Sequence, residues 1–146
     1  MKRTCFLPLL SCLVVLLMTA CDLDLAADGT FYGHWHLERI DTLEGGSCDL
    51  SRNLVFWSVQ NRLIECADRG SAHTPVVSRF ERAGDSLFFE RLYYSDRVAG
   101  DPIVEDTGHV AVFGLHSLAP RFRVEHLSGH RMLLSDGRLR LAFRKL

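Results

Sequence analysis

The stretch Phe31-Tyr32-Gly33-His34-Trp35-His36-Leu37-Glu38-Arg39-Ile40 decides the fold. Alternate positions set Phe31, Gly33, Trp35 and Leu37 on one face and Tyr32, His34, His36 and Glu38 on the other. That period of two belongs to a half-buried β-strand, because successive side chains of an extended chain point to opposite faces. Ile40 falls out of phase and predicts a bulge or bend, which helps a sheet to curl. The other end of the chain repeats the pattern. Phe122, Val124 and His126 alternate with Arg123, Glu125 and Leu127, and Leu139, Leu141 and Phe143 alternate with Arg138, Arg140, Ala142 and Arg144.

Between these lie apolar-rich segments at 54–59, 63–67, 76–82 and 87–94. Turn chemistry separates the strands at Gln60-Asn61, Ala83-Gly84-Asp85, Ser128-Gly129 and Asp136-Gly137, the last suited to the φ > 0 positions of a tight hairpin. Helical spacing is not sustained anywhere after residue 21. The expected domain is therefore all-β, a single antiparallel up-and-down meander of about eight strands. A closed barrel is favoured over a sandwich because closure removes exposed strand edges. One stretch, from Ser95 to Arg121, interrupts the rhythm. It reads as a long connection and candidate lid, with a short strand at 109–113 and a helical turn at Ser117-Leu118-Ala119.

The first twenty-one residues carry a different signal. Lys2 and Arg3 precede an apolar run from Cys5 to Met18, too short for the roughly 20 residues of a spanning helix and suited to a signal peptide. Met18-Thr19-Ala20-Cys21 resembles a lipobox, which implies cleavage before Cys21 and lipidation of its thiol. An ordinary secretory signal cut nearby is the other reading. The organisation expected is a lipoprotein signal peptide at 1–20, a flexible acidic tether at 21–30 carrying Asp22, Asp24 and Asp28, and a barrel domain at 31–146. A lipid on Cys21 would make a membrane the first partner. The expected location is then the bacterial cell envelope, with the outer membrane preferred and the side faced left open.

At 146 residues the chain has room for one domain. Removing Lys2 and Arg3 with the leader turns the net charge of −1 into −3, which argues against nucleic acid as a partner. Of the five cysteines, Cys5 and Cys12 lie in the leader and Cys21 ends it, leaving Cys48 and Cys66. Those two form a candidate disulfide in an oxidising compartment, with two free thiols as the alternative.

The Gly33-His34-Trp35 triplet on the first strand, followed by a meander that closes on the last, resembles the opening Gly-x-Trp of lipocalins and related calycins. The resemblance implies that Gly33 and Trp35 are structural, with the tryptophan packed across the closed end near a basic residue, Arg140 or Arg144. The order of lipobox, acidic tether, Gly-x-Trp-x-Leu and a terminal Phe-Arg-Lys is similar to lipocalin-like lipoproteins of Bacteroidetes. The chain is shorter than typical lipocalins, and an eight-stranded barrel can be filled by its own side chains.

Seven histidines invite a metal or catalytic reading. His34 and His36 lie on one strand face, but no third ligand has diagnostic spacing. Neither Cys66 nor the carboxylates of Glu38, Glu105 and Asp106 shows a recognisable catalytic pairing, and phosphate loops, serine elbows and HExxH are absent. No catalytic residue, cofactor or metal is expected. Aromatic residues are the better lead: Trp57, Phe89 and Tyr93 are candidates to line a pocket, against the plainer reading of core packing. Two functions follow, a non-catalytic envelope lipoprotein that takes a small apolar ligand through the open end, and a filled barrel whose surface contacts an envelope protein.

Overall fold

A computed structural model describes residues 29–70 and 73–146. The expected signal peptide, Cys21 and the expected tether up to Asp28 lie outside the described residues. Residues 29–31 are helical, so the first strand starts later than the alternation of Phe31 and Gly33 suggests. Its ladder begins where a partner exists, at the pairing of Gly33 with Val59.

Ten strands follow: β1 (Gly33–Thr42), β2 (Ser47–Asp49), β3 (Val55–Gln60), β4 (Leu63–Asp68), β5 (Val76–Ala83), β6 (Ser86–Phe89), β7 (Tyr93–Tyr94), β8 (Arg121–Leu127), β9 (Arg131–Ser135) and β10 (Leu139–Lys145). Eight of them form an antiparallel meander in the order β1-β3-β4-β5-β6-β8-β9-β10, and pairing of β10 with β1 closes it into a barrel. The two short strands are additions, β2 on β1 and β7 on β5. Closure satisfies the backbone of both terminal strands, which the long register from Trp35↔Lys145 to Thr42↔Leu139 accomplishes. Bulges interrupt the register between Leu37 and Arg39 and between Val124 and His126, bending the wall where Ile40 lost phase.

Alternation delivers the core. Trp35 and Leu37 of β1, Val55, Trp57 and Val59 of β3, Ile64 and Cys66 of β4, Met132 and Leu134 of β9, and Leu141 and Phe143 of β10 are all buried. The hairpin between β3 and β4 turns on Asn61 and Arg62, both at positive φ (51° and 63°), one residue later than Gln60-Asn61.

The candidate Cys48–Cys66 disulfide is not formed, and the alternative of two free thiols holds: Cys48 is exposed and Cys66 buried. Register explains why. Cys66 stands across from Trp57 and so in line with Trp35, whereas Cys48 stands across from Ile40. Five residues of extended strand separate those levels by about 15 Å, beyond the roughly 7 Å that a disulfide spans. The segment 109–113 is likewise not a strand. It lies in two 3₁₀ turns, Thr107–His109 and Ala111–Phe113.

Candidate functional site

The two ends of the barrel differ in what closes them. The start of β1, the turns at 61–62, 84–85 and 128–130, and the C-terminus gather at one end. There the Lys145 ammonium lies 5.0 Å over the ring of fully buried Trp35. Gly33 leaves room for this crossing. Its φ is +130°, and a Cβ there would stand 2.7 Å from Lys145 Cε.

Neither Arg140 nor Arg144 takes the position beside Trp35. Arg140 Nε donates to Glu125 Oε2 at 2.7 Å, and Arg144 Nε donates to Glu38 Oε1 at 2.6 Å, both partly exposed on the outer wall. The hydrogen bond from Arg140, aided by one from Ser135, holds the Glu125 carboxyl below the ordinary carboxylate value. Lys145 continues the phase of Leu139, Leu141 and Phe143, so strand parity alone turns it toward the interior. That parity was readable in the sequence.

At the opposite end the 95–120 connection folds inward. Asp106 Oδ1 accepts the Gly108 N–H at 2.9 Å and starts the first 3₁₀ turn, and Val104, Val110, Phe113 and Leu115 are buried. Gly114 leaves the second turn at φ +80°, where a Cβ would meet Leu141 Cδ2 at 2.8 Å. The segment is a plug, and it reaches the barrel centre: Trp57 Nε1–H donates to the Phe113 carbonyl at 3.2 Å.

Trp57 and Phe89, two of the three candidate ligand residues, meet inside. Trp57 lies 5.4 Å from Phe89, 5.7 Å from Phe122 and 4.8 Å from Phe143 between ring centroids, in tilted and edge-on arrangements. Tyr93 is not with them. It is 37% exposed on β7 and bridges to Ile103 on the outside. Phe113 is the residue that sequence reasoning missed, since nothing in Val110-Ala111-Val112-Phe113 announces a partner 56 positions away.

The other chemistry-bearing residues are dispersed. His34 Nδ1 lies 2.8 Å from Ser58 Oγ, while His36 is buried against Phe56 and its Nε2–H donates to the Asn53 carbonyl at 2.7 Å. Among the described residues no group of three or more His, Cys, Asp or Glu is placed to hold a metal. Burial, and secondarily the Glu65 carboxylate, push the Cys66 thiol well above its ordinary value and away from the reactive thiolate.

Two solved structures resemble this fold. A lipocalin-like protein from Bacteroides uniformis superposes with a TM-score of 0.61 at 21% identity, covering 80% of this chain and 99% of its own. An uncharacterised protein from Bacteroides eggerthii does so with a TM-score of 0.60 at 20% identity, covering 79% and 98%. No curated protein matches. The description of the lipocalin-like domain family matches residues 16–146, nearly the whole length, and the chain belongs to that family.

Proposed function

We propose that this chain is a non-catalytic, lipid-anchored module of the bacterial envelope that acts through its outer surface and keeps its interior for stability. One observation carries the surface reading: Phe113 and its neighbours occupy the end through which a ligand would enter, and the Phe113 carbonyl is hydrogen-bonded to the central Trp57. An apolar ligand would have to displace a packed aromatic and leave a buried indole N–H without a partner, which costs about 1–3 kcal/mol for the lost hydrogen bond alone. The lipobox-like Met18-Thr19-Ala20-Cys21 supports the anchor. Burial holds the Cys66 thiol protonated, which removes that residue as a candidate nucleophile.

In-cell crosslinking combined with membrane washing tests this reading. Wild-type protein should resist a high-salt wash, Cys21→Ala should be released by it, and crosslinking should give one dominant envelope partner. Wild-type release would end the anchor. Native mass spectrometry after exposure to a lipid extract should show the empty mass, and a retained lipid would restore the reading of a small apolar ligand taken up through the open end.

A further inference from the structure

We propose that a concavity beside the plug, outside the barrel, is a recognition site for a hydroxyl-rich ligand of mono- or disaccharide size. Its volume is about 390 Å³, and His73, Thr74, Tyr94, Asp96, Pro102 and His109 line it. The residues come from three segments: the connection from β4 to β5, the strand β7 with the residue pair after it, and the stretch from Pro102 through the first 3₁₀ turn. This inference goes beyond the surface-acting module proposed above and does not depend on the anchor.

The walls are held in place before any ligand arrives. Tyr94 N–H donates to the Pro102 carbonyl at 2.8 Å, Ser95 N–H to the Pro75 carbonyl at 2.8 Å, and Asp101 N–H to the Asp96 carbonyl at 2.9 Å. These bonds tie the β7 segment to each of the other two. The side chains are oriented as well. Tyr94 Oη lies 2.7 Å from His109 Nδ1, and the His73 ring is positioned by Asp68 Oδ2 at 3.2 Å from its Nδ1. Asp96 Oδ1 accepts the N–H groups of Val98 and Ala99, each at 3.1 Å, which fixes the carboxylate in the wall of the concavity. Sites built this way lose little ordering entropy on binding.

The chemistry of the wall selects the ligand class. An apolar molecule would strip water from Thr74, Asp96 and His109 without replacing its hydrogen bonds. An anion would face Asp96 and find no Lys or Arg among the lining residues described. A metal ion lacks a suitable trio of ligands among the described residues. A hydroxyl group both donates and accepts, and so fits a carboxylate oxygen, a threonine hydroxyl and the second ring nitrogen of His109 together. Pro102 and the Tyr94 ring supply a surface for the C–H face of a sugar ring.

The test is an NMR titration of the purified full chain with glucose, galactose, mannose, N-acetylglucosamine and maltose, each to about 50 mM, with zinc chloride as a separate arm. At least one sugar should give saturable shifts of the Tyr94 and Asp96 amides and the His109 ring. Asp96→Asn should abolish them, and Tyr94→Phe and His109→Ala should weaken binding by about tenfold, since each removes a ligand-facing or orienting hydrogen bond. The rest of each variant's amide spectrum should stay unchanged, and Arg140→Gln on the outer wall should bind like wild type. Saturation by no sugar in the panel, sugar shifts that survive in Asp96→Asn, or saturation by zinc alone would each overturn the proposal.

Discussion

The two ends of this barrel use the same device with different consequences. Each places a glycine at positive φ where another segment crosses within contact distance, Gly33 beneath Lys145 and Gly114 beneath Leu141. Each end is also tied to one of two tryptophans that stand directly across from each other, Trp35 and Trp57. At the Gly33 end the neighbour is the stem of a flexible lysine, which can move. At the Gly114 end it is a fully buried leucine, which cannot move without disturbing the core. The first end is therefore a clasp made from the two edges of the domain. The second is a plug whose packing decides whether the barrel has an interior to offer.

Breaking the plug should have the largest effect. Phe113→Ala removes a fully buried ring and should cost about 3–5 kcal/mol in chemical denaturation. A loss below about 1 kcal/mol would show that the plug is not packed as described. Gly114→Ala comes next, at about 3 kcal/mol, because backbone strain and overpacking against Leu141 add together. Its counterpart Gly33→Ala should cost only about 1–2 kcal/mol, the strain without the overpacking. Equal losses from the two glycine variants, read from thermal unfolding, would erase the distinction between clasp and plug.

Smaller effects sharpen the picture. Lys145→Met keeps the aliphatic stem over Trp35 and removes the charge, so it should cost about 0.5–1 kcal/mol and shift tryptophan emission. The outer wall should respond least, and only to acid. Glu125 has its folded pKa held below the ordinary 4.5, chiefly by Arg140, so its contribution is complete above the unfolded value and is lost as pH falls through the folded one. Glu125→Gln should accordingly flatten the stability profile below about pH 5 and leave it nearly parallel to wild type at neutral pH.

The barrel was legible in the sequence because a half-buried strand writes its faces into every second residue, as Trp35 and Leu37 or Leu141 and Phe143 do. Lys145 was legible by the same parity, although the resemblance pointed to Arg140 or Arg144 as the basic residue beside Trp35. The plug was not legible. Val104, Val110, Phe113 and Leu115 keep no period, since irregular turns rather than a strand or helix bring them inward. Without the plug, an inward Trp57 or Phe89 reads as core packing first and leaves pocket lining open as the alternative. The separation of Cys48 and Cys66 depends on which residues of β1 each stands against, and composition carries no trace of that register. The concavity around Tyr94 and His109 needs three segments to meet, which no local pattern encodes.

The filled interior is tested most directly by titrating the protein with cis-parinaric acid while following emission from its two tryptophans, Trp35 and Trp57, both fully buried inside the barrel. A packed, plugged barrel gives no saturable quenching or energy transfer in wild type, and gains it in Phe113→Ala. One-to-one saturable quenching of the wild-type protein would contradict the filled barrel and return the interior to consideration as a ligand site.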